Sequence, residues 1–283
     1  MPQPAQTSQQ QRVVLPARPA PPRPQQQQPP PLLRLLALLL ALTLPTACTS
    51  AAVVKETPEY VRPCARSDPE LSACIGRAID HLRPFIVKGI PELAVPTIEP
   101  LVIPRLSMEN GNGAVRVRAA FHNVTIVGAS NYTVSAVKAD MTTYRIDVGL
   151  RLPSIETTGR YDVSGNILLF PVRSRGEFWA GFYDIAAVVR VFGKEVTTDG
   201  EKFMRIDKLL VDFNLSKSRF RVKDFLNTGN VLGEAMNQFL NQNANEIIKE
   251  MKPAAAQSIS RHFKEYLNVA LLRVPIRVWL RDQ

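Results

Sequence analysis

The sequence predicts an α+β fold in which a strongly curved antiparallel β-sheet wraps a long C-terminal helix in an elongated single domain. Strand-like alternation of apolar and polar residues dominates residues 115–222. The strands follow one another closely, which favours antiparallel hairpins because a parallel pair needs a crossover of a dozen or more residues. From about Asn230 to Arg273 the apolar residues recur in steps of three or four, which is a helical period.

The chain has three segments of different composition. Residues 1–31 are rich in Pro and Gln and lack apolar periodicity, so we expect a disordered leader. Residues 32–51 hold an apolar run and then small residues, the pattern of a secretory signal and its cleavage region. A membrane anchor is the alternative, but the run is shorter than the roughly 20 residues of a span. Residues 52–283 form the folded domain, and the sequence predicts a secreted, extracellular protein.

The charge of the chain argues against nucleic-acid binding. The formal net charge is +10, and residues 1–51 carry four arginines and no acidic residue, so removing them leaves +6. The basic residues are scattered singly along the sequence, a pattern typical of a solvated surface and not of a phosphate-binding stripe.

The cysteines and sequons fit secretion. Removing the leader removes Cys48 and leaves Cys64 and Cys74, which predicts one disulfide in an oxidising compartment. No Cys-x-x-Cys spacing is present, so we expect no redox or zinc role. Three sequons predict N-glycosylation at Asn123, Asn131 and Asn214.

Prolines mark the predicted bounds of the first elements of the domain. Asp68 is a candidate N-cap, Pro69 follows it, and apolar residues recur at helical spacing up to Pro84, which predicts a short amphipathic helix. Residues 89–106 carry a proline about every five residues, which predicts an extended traverse along the outside of the domain. Strands are predicted at 115–121, 133–141, 144–152, 159–170, 178–191, 203–215 and 220–222.

The length of the predicted C-terminal helix indicates what lies in the interior of the fold. About forty helical residues would extend about 60 Å, and we expect Pro253 to bend this helix or open one turn. The remaining apolar surface is the dry face of the sheet, so the sheet must curl along the helix. An elongated apolar cavity suited to a lipid is the expected outcome, and a fully packed core is the alternative.

The predicted lining of this cavity comprises apolar side chains from strands and helix. They are Phe121, Ile146, Val148, Phe182, Ile185, Met236, Phe239, Leu240 and Ile247. Three hydroxyls could anchor a polar head group, or could be ordinary core or rim tyrosines: Tyr161, Tyr183 and Tyr266.

Two blocks of sequence carry a family resemblance. The pattern Cys64-x9-Cys74 with Asp68-Pro69, followed by residues 82–104, resembles the N-terminal signature of the insect takeout and haemolymph juvenile hormone binding protein family. Residues 221–253 resemble its C-terminal block, and residues 121–134 and 159–172 are similar to its middle strands. The resemblance spans about residues 60–275. Two departures from the family pattern are Ala244, where Trp is frequent, and residues 171–178, where a Gly-rich turn is usual.

The resemblance implies a tubular lipid-binding protein. It implies a long helix wrapped by a curved sheet, with a tunnel for juvenile hormone, fatty acyl chains or other hydrophobic small molecules. It also implies a monomeric carrier in haemolymph or another extracellular fluid, with no cofactor. The physiological output, such as circadian or feeding regulation, is left open.

An enzyme and a membrane-binding module are the other hypotheses. Gly-x-Ser-x-Gly is absent, and three histidines lie in separate elements without metal-ligand spacing, so we expect surface roles for His81, His122 and His262. Ion-pair or turn roles are expected for Asp80, Asp184 and Asp207. We therefore predict no catalysis and no metal.

A lipid-transfer or membrane-lipid-binding module of the same architecture, with transient membrane contact, would show an exposed apolar tip or a contiguous cationic patch. A sealed tunnel mouth would instead favour a soluble carrier.

Overall fold

The computed structural model describes residues 53–54, 56–224 and 230–282, with the backbone alone at 230–233. All of these residues belong to the unit Ala51–Gln283. The leader and signal segment predicted from the sequence lie outside the described residues.

The fold is α+β, as predicted. In chain order its helices and strands are β1 (Cys64–Ala65), α1 (Leu71–Lys88), β2 (Leu101–Asn110), β3 (Val115–Val127), β4 (Thr133–Asp140), β5 (Arg145–Ile167), β6 (Phe170–Thr198), β7 (Glu201–Asn214), β8 (Lys217–Asp224), α2 (Asn230–Gln242), α3 (Ala244–Leu271), α4 (Ile276–Trp279) and β9 (Leu280–Arg281). Seven strands form an antiparallel sheet in the order β2-β3-β5-β6-β7, with β4 paired to β5 and β8 paired to β6. The short β1 and β9 pair in parallel.

The strands β5 and β6 are much longer than the sequence predicts. They pair along almost their whole length, through a point where Pro153 lies opposite Asp184. Asp184 has a φ of 51°, and proline has no N–H to give to a ladder. The interruption at Pro153 and Asp184 changes which residues along each strand point inward. Leu152 and Ile185 are buried on one side of it, and Ile155 packs against their apolar cluster from the other side. One apolar face therefore continues past an interruption that splits the sequence pattern into separate strands.

The helix α3 lies between the two ends of the sheet. The Oγ atom of Ser258 donates a hydrogen bond to the carbonyl of Ser107 in β2, at 2.8 Å. Nearly three turns further along, Asn268 bonds to both backbone polar groups of Ile206 in β7. The strands β2 and β7 are the terminal members of the sheet path, so the sheet curls until both of its edges meet one helix. This confirms the predicted wrapping.

The helix interruptions differ from the prediction. The chain passes Pro253 inside α3, and the break falls earlier, at Asn243 between α2 and α3. Pro253 has no N–H, so the carbonyl of Lys249, four residues earlier, lacks its usual helical partner. Both residues are exposed. Water can satisfy that carbonyl, which reduces the cost of the proline. The helix is therefore interrupted at Asn243 and not at Pro253, where the sequence predicts a bend.

The helix α1 also passes a proline. It continues beyond the exposed Pro84 to Lys88 and ends at Gly89, whose φ of 82° is unfavourable for other residues. At its start the carboxylate of Asp68 accepts the backbone N–H of Glu70 at 2.8 Å. The prediction of an end at Pro84 was therefore wrong by about one turn.

The proline-rich segment is only partly an outer traverse. From Leu101 onward it forms β2, and Leu101 and Ile103 are buried. Pro104 is tolerated because β2 is an edge strand and Pro104 has no partner in the register with β3. The prediction for residues 89–106 was wrong over its last six residues.

Candidate functional site

The inner face of the curled sheet is apolar over its β3, β5 and β6 strands. Burial alternates along each of them, and the inward residues at one end form a cluster of Val115, Val117, Ile167 and Val172. Three of the residues predicted to line a cavity pack against this cluster from α2 and α3: Phe239, Leu240 and Ile247. The helix therefore covers this end of the inner face.

The other predicted lining residues are spread along the sheet. Phe121 packs beside Leu101 and Ile103, with its ring centroid 5.2 Å from that of Phe178. Further along, Phe182 and Ile185 belong to a cluster with Tyr132 and Leu152, and Ile146 packs against a cluster that contains Cys64, Cys74 and Met204. Val148 is buried and Met236 is half-buried. The structure thus distributes the predicted residues over several clusters instead of one.

The helix α3 presents four distinct stripes at a spacing of four residues. Pro253, Gln257, Arg261 and Glu265 are exposed. Ala254, Ser258, His262 and Tyr266 lie on the side of β2, where Ser258 bonds to Ser107. Ser260, Lys264 and Asn268 bond to backbone groups of β7. The fourth stripe lies opposite the exposed one by helical spacing and begins with Met251, which packs on the inner cluster of Val115 and Ile167. We call it the inner stripe, and it comprises Met251, Ala255, Ile259, Phe263 and Leu267.

Two side chains of this inner stripe retain accessible surface. Phe263 is 39% exposed and Leu267 is 38% exposed, although both lie opposite the solvent stripe. A large apolar side chain sealed in a packed interior would lose nearly all of its accessible area. Both residues belong to the helical pattern of the sequence, but periodicity could not distinguish them from packed core positions.

Asparagine side chains join the helices to the strand edges. Asn237 accepts the N–H of Val222 at 2.7 Å and donates to its carbonyl at 3.0 Å. Asn241 makes the same pair of bonds to Phe220, at 2.9 and 2.7 Å. Each amide thus satisfies the two polar groups that a neighbouring strand would otherwise satisfy. We call Asn237, Asn241 and Asn268 the polar seam.

The three candidate hydroxyls differ in environment. Tyr161 is 5% exposed, and its hydroxyl lies 2.6 Å from Oγ of the buried Ser174. Burial raises the pKa of Tyr161, and the bond to Ser174 opposes that rise. Tyr183 is half-buried. Tyr266 packs edge-on against His262, with ring centroids 4.6 Å apart.

His262 is not the surface residue that the sequence suggests. Its Nε2 atom is buried and has no hydrogen-bond partner among the described residues. Burial lowers the pKa of His262, and the charge of Glu265 opposes that shift. The charged neighbours Arg261 and Glu265 lie on the exposed stripe, so adjacency along the chain was a poor guide to the environment of the ring.

His81 and the three aspartates have structural partners, and His122 is half-buried in β3. His81 Nε2 lies 2.7 Å from the carbonyl of Glu59. The three aspartates pair as follows: Asp80 with Arg83, Asp184 with Ser216, and Asp207 with Lys194. Within residues 53–54, 56–224 and 230–282, no group of three or more His, Cys, Asp or Glu side chains is placed to hold a metal ion. In the same ranges, no helix combines the length and apolarity that a membrane span requires.

The predicted disulfide is present. Cys64 and Cys74 are bonded, with their Cα atoms 5.9 Å apart, and both are buried. The bond ties β1 to α1. The sequon residues Asn123, Asn131 and Asn214 are all exposed, and glycosylation at them stays a prediction.

The described residues form surface grooves that include one of about 480 Å³ and another of about 470 Å³. One lies across β5, β6 and β8 and includes Trp179 and Arg221. The other runs between α3 and the β2–β3 edge and includes Ser258 and Met108. Neither is lined by a residue of the predicted ligand set, so that set stays a prediction.

Comparison with known proteins identifies the family. The sequence model of the haemolymph juvenile hormone binding protein family matches residues 39–281. The circadian clock-controlled protein daywake of Drosophila yakuba is 22% identical over 218 residues, which are 73% of this chain and 82% of that protein. Daywake of Drosophila melanogaster is 20% identical over 226 residues, 77% of this chain and 86% of that protein. The crystal structure of Takeout 1 of Epiphyas postvittana has the same fold, with a TM-score of 0.66 at 21% identity over 78% of this chain and 99% of that one. The curled sheet, the helix between its edges and the matched sequence together show that the chain belongs to the haemolymph juvenile hormone binding protein family.

Proposed function

We propose that this protein is a secreted carrier that holds one hydrophobic small molecule between the inner face of the sheet and the inner stripe of α3. The cargo is a juvenile hormone-like isoprenoid, a fatty acid or a related lipid. The observation that carries the proposal is the exposure of Phe263 and Leu267 on the side of α3 opposite the solvent stripe. This exposure supports an apolar space next to the helix and argues against the alternative of a fully packed core.

The cargo class follows from the chemistry of these walls. The inner stripe is apolar, and the strands opposite it contribute Val, Ile, Leu and Phe side chains. Burying about ten methylenes would yield about 8 kcal/mol, which corresponds to a dissociation constant of about 1 µM before ordering costs. Hydrogen bonding of the cargo to Tyr161, Tyr183 or Tyr266 would supply further affinity.

Displacement of a fluorescent fatty acid tests this function. Ala255→Trp fills the inner stripe, so we expect it to weaken probe binding at least 10-fold. Gln257→Trp adds the same ring to the solvent stripe and should leave binding unchanged. Phe263→Ser, which removes apolar contact without adding bulk, should also weaken binding.

Native mass spectrometry of the purified protein provides a second readout. A copurifying lipid would support the proposal and identify the cargo. Absence of any bound lipid, together with failure to bind both fatty-acid and isoprenoid probes, would refute the carrier function. Equal effects of Ala255→Trp and Gln257→Trp would show that the probe does not bind at the inner stripe.

A further inference from the structure

The outer face of the sheet carries an excess of positive charge as large as the net charge of the whole domain. Burial alternates along the strands, so the side chains that point outward are those at even positions of 116–122 and 156–166 and at odd positions of 171–181 and 217–223. We call these outward side chains the basic face. They include nine Lys or Arg and three Asp or Glu residues, an excess of six positive charges. This equals the net charge of residues 52–283.

The register of the sheet assembles this face from residues that are scattered in the sequence. Arg160 lies opposite Glu177, which lies opposite Lys223. Trp179 lies opposite Arg221 in the neighbouring row. Successive outward rows are about 7 Å apart, so the seven rows from Arg116 to Lys217, which lies opposite Tyr183, extend about 40 Å. Basic residues that are dispersed in the sequence are thus brought together on this side of the molecule.

An apolar turn lies at one end of the basic face. The turn between β5 and β6 exposes Leu169 by 93% and Phe170 by 59%. Leu169 is the most exposed of the large apolar residues in the part of the chain that the structure describes. Arg116 reaches this end of the sheet beside Asn166, and Arg173 follows the turn in β6. A fully exposed leucine and a partly exposed phenylalanine thus lie at a hairpin that basic residues flank.

We propose that this protein docks on anionic lipid bilayers, with the Leu169–Phe170 turn inserted at the acyl boundary and the basic face against the head groups. The charges complement anionic phospholipid, and each basic residue near such a surface adds attraction. The turn offers apolar area that gains by leaving water, which an acidic protein surface would not provide.

The docking turn lies next to the candidate binding interior. The ring of Phe170 lies 5.3 Å from that of Phe239, one of the predicted lining residues, and Phe239 packs on the inner cluster of Val115 and Ile167. Docking by this turn would bring that end of the interior to the membrane surface. Only this last link, a route for cargo between bilayer and carrier, rests on the proposed carrier function.

Cosedimentation with vesicles tests the docking. The two vesicle types are phosphatidylcholine alone and a 7:3 mixture of phosphatidylcholine and phosphatidylserine. We expect partitioning into the mixed vesicles only, weakened about 10-fold by Leu169→Ser, whose side chain is nearly free of packing. The triple variant Arg116→Gln, Arg173→Gln, Arg221→Gln should weaken it about 100-fold, because each basic residue contributes roughly a factor of five.

Matched variants control for net charge and general apolar loss. Arg77→Gln, Arg151→Gln and Arg205→Gln remove three exposed arginines outside the basic face, and Leu210→Ser removes a partly exposed leucine of β7. These should leave partitioning within about twofold. The proposal is overturned if the mixed vesicles do not bind the protein, if the control triple weakens binding as much as the face triple, or if Leu169→Ser has no effect.

Probe displacement without vesicles separates docking from carriage. Leu169→Ser should bind the fluorescent fatty acid as the wild type does. A protein that binds mixed vesicles but no probe would retain the docking proposal and lose the carrier function. A protein that binds the probe and a sulfated polysaccharide, but not mixed vesicles, would retain carriage and refute docking on lipid.

Discussion

The polar seam makes one stability prediction that the structure allows to be worked out in detail. Asn268 accepts the N–H of Ile206 at 2.7 Å and donates to its carbonyl at 3.0 Å. Ile206 is 1% exposed, so water cannot replace the asparagine. Asn268→Ala therefore leaves the buried N–H and the buried carbonyl of Ile206, on the edge strand β7, without a hydrogen-bond partner.

The expected cost follows from these two groups. A buried backbone group left without a partner costs about 1–3 kcal/mol. Two such groups should lower the free energy of unfolding by roughly 2–5 kcal/mol. For a domain of this size we expect the melting temperature to fall by about 6–15 °C, since each kcal/mol corresponds to about 3 °C. Urea unfolding followed by circular dichroism measures the loss directly.

Asn241→Ala is the matched control. Asn241 makes the same two bonds to Phe220, but Asn241 is exposed and Phe220 is half-buried. Water can reach the freed groups, so we expect a loss of only about 1 kcal/mol. Equal losses in the two variants, or an Asn268→Ala variant as stable as the wild type, would refute the idea that the seam acts by satisfying buried edge groups.

Three further variants test local features of the domain. Cys74→Ser removes a cross-link over a ten-residue separation and should cost about 2–3 kcal/mol by chain entropy relative to the disulfide-bonded wild type, with the reduced wild type as the control that should lose a similar amount. Burial lowers the pKa of His262 in the folded protein, so the unfolded chain binds more protons and stability should fall as pH drops from about 7 to 5; His262→Leu should flatten that dependence of the urea midpoint. Burial alone would raise the pKa of Glu99, but hydrogen bonds from Gly128 and Ser130 outweigh it and lower the pKa. The stability from Glu99 is therefore present above the unfolded pKa and lost as pH falls through the folded one. Glu99→Gln should cost about 1–2 kcal/mol at pH 7, and a difference that persists undiminished at pH 3 would contradict this reasoning.

The repeating patterns of the sequence were sufficient to predict the class of fold. Alternation along residues 144–152 and helical spacing beyond Asn230 both correspond to observed elements, because each period fixes which side of an element is apolar. The cysteine count was sufficient for the disulfide. These features are local, so no knowledge of distant residues was needed.

The boundaries of the elements depended on contacts that the sequence does not display. Pro84 and Pro253 are tolerated within helices because they lie on exposed sides. Pro153 is tolerated within β5 because Asp184 adopts a positive φ opposite it. In each case the penalty of proline is reduced by its surroundings, and those depend on the final packing.

The sequence by itself determined that an apolar sheet face and an apolar helix must cover each other, because the spacing of apolar residues along each segment fixes which of its sides is apolar. The tertiary structure decided which residues meet across the fold. It placed Asn268 against the edge at Ile206, left Phe263 39% exposed on the side of α3 opposite the solvent stripe, and aligned Arg160 with Lys223 on the outer face through Glu177. Such pairings depend on strand register and on where the sheet closes. Both are set by interactions between residues far apart in the chain, which local periodicity does not specify.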